Sequence, residues 1–149
     1  MKKYKSNIPL VTLKRIQSDF PKVKLLSSND SAEFIRQFFG DDISIFESFF
    51  ILMLNRANNT IGYAKISQGG IAGTVVDVRI IAKYAVDSLC CSIILAHNHP
   101  SGNTLPSQAD SKITDKIKNA LALLDVVLLD HLILTESDGF YSFADNGLI

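Results

Sequence analysis

Two histidines one residue apart, His97 and His99, are followed after a short loop by Ser107 and Asp110. Imidazole nitrogens and carboxylate oxygens are ordinary ligands of transition metals, so metal binding is the first chemistry this spacing suggests. In extended backbone, side chains at i and i+2 point the same way, which lets His97 and His99 face one ion. Pro100 holds His99 extended, because a residue before proline is pushed away from helical geometry. Two imidazoles and one carboxylate make three protein ligands. A closed structural zinc site uses four, and three leave a position for water, as catalytic sites do. Zinc lowers the pKa of such a water to about 7. The ligand types admit another divalent ion, although imidazole favours a transition metal over magnesium or calcium.

Pro106-Ser107-Gln108-Ala109-Asp110 also has a plainer reading. Ser107 as N-cap with Asp110 three residues on is how a helix starts with no metal at all. Both roles can hold together, since a capped first turn fixes the carboxylate in place. Metal-assisted hydrolysis further needs a proton acceptor, and the glutamates are Glu33, Glu47 and Glu136. Glu47 directly precedes an apolar run, so it would stand at the mouth of a buried strand, where a carboxylate beside an ion suits general acid/base work. Its plain alternative is a solvated surface residue.

The elements that must position these groups follow from the apolar pattern. Residues 8–16, with Val11, Thr12 and Leu13, suggest a short strand, and residues 23–26 another. Asp30 and Glu33 have capping-box spacing ahead of a helix expected over 31–39, which Gly40 stops. The run Glu47 to Asn55 reads as a strand covered on both faces. Asn58-Asn59 marks a hairpin turn into a return strand over 60–67. The spacing predicts a helix over 78–89, a buried strand over 91–96 leading into His97, and a long helix over 107–124 with Ile113, Ile117, Leu121 and Leu124 inside. Residues 126–135 read as a strand carrying His131, and a turn at Asp138-Gly139 leads to a last short strand over 140–143. The fold class is α/β: one domain, a mixed β-sheet flanked by helices.

A chain of 149 residues that is 47% hydrophobic has material for a core. Its formal charge is zero, which gives no overall nucleic-acid signal. Residues 1–24 nevertheless carry seven basic residues against Asp19, a net +6 that the remainder cancels. This segment reads as a solvated surface stretch, with a nucleic-acid-binding arm as the rival. Residues 1–7 are expected to fray. Adjacent Cys90 and Cys91 cannot easily form a strain-free bridge and read as buried core thiols. No signal peptide opens the chain and no apolar run is long enough to span a bilayer, so a cytoplasmic protein without membrane partners is the expectation. His131, within an apolar strand, reads as a packed or hydrogen-bonded histidine rather than a ligand. Asn98 and Ser101 are expected to shape the loop, and Arg79 to orient an acidic group.

His97-x-His99, then Ser107-x-x-Asp110, with Glu47 upstream, resembles the JAMM (MPN+, JAB) metalloprotease signature. The match is closest to RadC-like proteins: HNHPSG at 97–102, PS-x-x-D at 106–110, ESFFILMLN at 47–55, VVDVR at 75–79 and LLDHLIL at 128–134 stand in the family's order. The resemblance covers about residues 30–149, leaving 1–29 as a basic N-terminal segment. It implies a JAB/MPN sheet of cytidine-deaminase-like layout, with one Zn2+ held by His97, His99 and Asp110. Glu47 would be the water-activating base, and Ser107 would stabilise the oxyanion of a tetrahedral intermediate. The implied substrate is a protein or peptide. The alternative it carries is a DNA-repair-associated accessory protein that binds nucleic acid or a partner without turnover. RadC-like proteins usually precede this domain with a helix-hairpin-helix-like region, for which about 30 residues are too few.

Overall fold

The structure is a computed structural model that describes residues 8–12, 14–70 and 75–149. Its elements run α1 (Ser28–Arg36), a 3-10 turn (Gly40–Asp42), β1 (Ser48–Leu54), β2 (Thr60–Gln68), α2 (Val78–Ser88), β3 (Ser92–Asn98), α3 (Gln108–Ala122), β4 (Val127–Leu134) and β5 (Phe140–Ser142). The five strands form one sheet in the order β2-β1-β3-β4-β5. Among the described residues only β3 and β4 pair in parallel, because α3 crosses over between them; the other pairs are antiparallel. The mixed α/β architecture expected from the sequence is therefore observed.

Both central strands, β1 and β3, are buried along their whole length. Each has a neighbour on both edges and helices over both faces, which is why their sequences read as continuous apolar runs. Side chains alternate between the faces. Phe49, Ile51, Ile93 and Leu95 join α2 and α3 in one cluster through Ile81, Ile117 and Leu121. Phe50, Leu52, Ile94 and Ala96 meet α1 on the other face through Phe34 and Ile35. Continuing this alternation to the end of β3 sends His97 to the α2/α3 face and Asn98 to the α1 face.

The hairpin turns where expected. Asn58 takes the left-handed conformation (φ 59°), and Asn55 Oδ1 accepts from the N–H groups of Ala57 and Asn59. Other boundaries differ. Among the described residues of 8–16 there is no strand, and Ile8, Leu10, Val11 and Ile16 are exposed. Strand propensity needs a ladder partner, which this run lacks, and Pro9 removes a donor. Residues 23–26 make a single bridge, Lys24 to Asn59, rather than a strand.

Helix α1 starts at Ser28, three residues earlier than expected. Ser27 Oγ accepts from Asp30 N, and the Asp30 carboxylate accepts from Leu26 N, so Ser27 rather than Asp30 is the cap. Cys91 is exposed and lies just outside β3; only Cys90 is buried. On α3, Thr114 takes a buried place, and the helix ends at Ala122, which leaves Leu124 beyond it and exposed. The expectation for residues 1–7 falls outside the described residues. No helix among those described is long and apolar enough to cross a membrane.

Candidate metal centre

The end of β3 and the first turn of α3 meet at one point. His97 Nε2 is 2.9 Å from His99 Nε2 and 3.2 Å from Asp110 Oδ1, and His99 Nε2 is 3.4 Å from Asp110 Oδ2. Zinc–nitrogen bonds of 2.0–2.1 Å give a tetrahedral edge of roughly 3.3 Å, so these separations suit three corners around one ion. His97, His99 and Asp110 are a group that could bind a metal ion.

Neighbouring atoms fix each donor. His99 Nδ1 is 2.6 Å from the Asn103 carbonyl, which can only accept, so Nδ1 carries the proton and the Nε2 lone pair faces the centre. Ser107 and Asp110 form a full capping box: Ser107 N and Oγ both donate to Asp110 Oδ2 at 2.7 Å, and Asp110 N donates to Ser107 Oγ at 3.1 Å. Burial pushes the Asp110 carboxyl up, but the neighbouring imidazoles of His97 and His99 outweigh it and hold the group well below the usual carboxylate range. The Asp110 carboxylate in turn raises His99 above its ordinary value, against burial. The donor set thus concentrates negative charge and lone pairs on one point, as a cation requires.

Glu47 precedes β1, and Phe49 of β1 pairs with His97 of β3, so Glu47 stands beside the histidine end of that ladder. It lines the same cleft as His97, His99, Ser107 and Asp110, a cavity of about 770 Å³. The sequence-derived candidates therefore share one cavity. The cleft's apolar wall includes Phe49, Val75, Val76, Leu105 and Ile113, and no Lys or Arg lies among its described lining residues.

Asn98 does more than shape a loop. Its side chain is fully buried; Oδ1 accepts from Ser48 N at 2.7 Å, and Nδ2 donates to the Ile43 and Phe46 carbonyls at 2.5 and 2.7 Å. These bonds clamp the chain on either side of Glu47 to the strand that carries His97. His131 is packed and hydrogen-bonded as expected, with Nε2 2.8 Å from His97 Nδ1 and Nδ1 2.6 Å from Thr114 Oγ1. Burial, above all, pushes it far towards the neutral form. The exposed Arg79 is spent on Asp77, the N-cap of α2, at 2.6 Å.

Sequence reading missed Thr114 and the clamp made by Asn98. The available signal was a polar residue in an otherwise apolar stripe. Thr114 lies four residues after Asp110, on the same helix face, and Asn98 ends a strand buried on both sides.

Comparison with known proteins gives a concordant picture. A family model described as a RadC-like JAB domain matches residues 25–148. A UPF0758 protein of Flavobacterium johnsoniae is 47% identical over 125 residues, covering 84% of this chain and 53% of the relative. A UPF0758 protein of Porphyromonas gingivalis is 43% identical over 103 residues, covering 69% of this chain and 45% of the relative. The Escherichia coli UPF0758 protein YfjY is 44% identical over 103 residues, covering 69% of this chain and 64% of the relative. The chain spans about half the length of the first two of these relatives.

Proposed function

The chain belongs to the RadC-like JAB domain family, and on that premise we propose that it is a zinc-dependent hydrolase cleaving an amide, peptide or isopeptide bond. The observation that carries this reading is the convergence of His97, His99 and Asp110 in a cleft that Glu47 also lines. Zinc held by those three residues would polarise a carbonyl and make a water acidic enough to lose a proton near pH 7.

The remaining work falls to the chain. Glu47 accepts the proton of the attacking water and returns it to the leaving amine as the C–N bond breaks, so the carboxylate is regenerated. Ser107 donates its hydroxyl proton to the substrate oxygen as negative charge develops there; without substrate that proton rests on Asp110. The apolar wall binds the chain flanking the scissile bond and excludes water.

The test is metal analysis and hydrolysis of a panel of fluorogenic peptides and isopeptide-linked conjugates. About one zinc per chain is expected, lost in His97→Ala. Glu47→Gln is expected to keep the metal and lose activity by at least about 100-fold, in the range of a lost general base. Stoichiometric zinc in His97→Ala, or full turnover in Glu47→Gln, would sink the corresponding assignment.

A further inference from the structure

We propose that Thr114 and His131 form a hydrogen-bond relay that sets the tautomer of His97 and so turns its Nε2 lone pair towards the metal. The inference rests on the metal-binding reading above and adds two positioning residues to it.

The direction of each proton follows from donor counting. Thr114 Oγ1 lies 2.6 Å from the Asp110 carbonyl oxygen. Two oxygens that close need a proton between them, and a carbonyl has none, so the Thr114 hydroxyl donates there. That hydroxyl has no second proton for His131 Nδ1, 2.6 Å away, so His131 Nδ1–H is the donor of that bond. A neutral imidazole carries one proton, which leaves His131 Nε2 as an acceptor. His97 Nδ1, 2.8 Å from it, must therefore donate. His97 is then left with a bare Nε2, directed at His99 and Asp110.

Water cannot substitute for any member of this chain. Thr114, His131 and His97 are all buried. The rings are also held in plane: Phe143 stacks on His131 with centroids 4.8 Å apart, and Phe49 stacks on His97 at 5.8 Å. The backbone N–H of His131 is tied to Asp130 Oδ1 at 2.7 Å, and that carboxylate is tied in turn to Ser142 and Ala144. The relay starts on the carbonyl of Asp110 and ends on His97, so it links the orientation of two ligands through three elements. Outer partners of this kind orient a metal-binding histidine and raise its basicity.

Two measurements test the relay. Imidazole nitrogen spectra of the metal-free chain report which ring nitrogen of His131 is protonated. The Nδ1–H form is expected in the wild type and in Thr114→Ser, and a shift towards Nε2–H in Thr114→Val, which keeps the shape but loses the hydroxyl. Zinc competition against a chromophoric chelator is expected to show Thr114→Val weakened roughly 10- to 100-fold, with Thr114→Ser within about threefold of the wild type. An Nε2–H His131 in the wild type overturns the relay, as does unchanged zinc affinity in folded Thr114→Val. A wild type that binds no zinc removes the metal reading instead, while the spectra still decide the relay. If Thr114→Val does not fold, the wild-type spectrum carries the test alone.

Discussion

Asn98 stands between the two histidines, yet its side chain leaves on the opposite face of β3 and binds the chain around Glu47. Replacing it with alanine removes three hydrogen bonds, one buried and two partly buried, and leaves one N–H and two carbonyls to find new partners. At about 1 kcal/mol each, Asn98→Ala is expected to lose about 3 kcal/mol by urea unfolding. Because the clamp holds Glu47 and not the ligands, kcat should fall further than zinc affinity; equal losses in both would refute that division. The neighbouring thiols separate in the same way. Burial raises Cys90 above an ordinary thiol and keeps it from forming thiolate, whereas Cys91 is exposed. One thiol per native chain should therefore react with an alkylating reagent at neutral pH, and peptide mapping should find it at Cys91. The grouping of His97, His99 and Asp110 was legible in the sequence because strand, turn and cap geometry fix their spacing locally. Thr114 and the Asn98 clamp were not, and His131 was legible only as a packed histidine, because the groups they bind are ones that only the fold brings near.

At the scale of elements, apolar period and turn chemistry located the central strands, the hairpin and α3 to within a residue or two. They failed where a boundary depends on which polar side chain wins a cap. Ser27 took the start of α1 from Asp30 because its hydroxyl reaches Asp30 N while the Asp30 carboxylate reaches back to Leu26 N. The end of α2 shows a different conflict. Leu89 closes that helix in the left-handed region (φ 54°, ψ 37°) with 82% of its surface exposed. A residue with a Cβ costs roughly 1–2 kcal/mol there, and glycine does not. Glycine gives back part of this through the entropy of its unfolded chain, on the order of 0.5–1 kcal/mol. Leu89→Gly should therefore raise stability by about 0.5–1 kcal/mol, read as a higher urea midpoint at constant slope. The exposed side chain contributes little burial to oppose this gain, so a lower midpoint would contradict the account of α2.

For the molecule as a whole, the question is whether a metal at this centre would build the fold or be received by it. In small zinc domains the ion replaces a core, and chelation unfolds them. Here two apolar clusters cover both faces of the sheet, and the candidate ligands His97, His99 and Asp110 sit at one end of it. Each candidate ligand is already held by protein bonds: Asp110 by the capping box, His99 by the Asn103 carbonyl, His97 by His131. The chain treated with chelator should therefore keep its circular dichroism and unfold in one cooperative step. Zinc added to a free concentration of a hundred times its Kd should then stabilise the native state by about 2.7 kcal/mol. For a domain of this size that corresponds to a rise in melting temperature of about 5–10 °C. His99→Ala removes a partly exposed ligand and should abolish that rise while leaving the metal-free melting temperature within a few degrees of the wild type. Loss of the cooperative transition on chelation would mean that the centre is part of the core. In that case the hydrogen bonds around it, and not the sheet's two apolar faces, would be what the fold depends on.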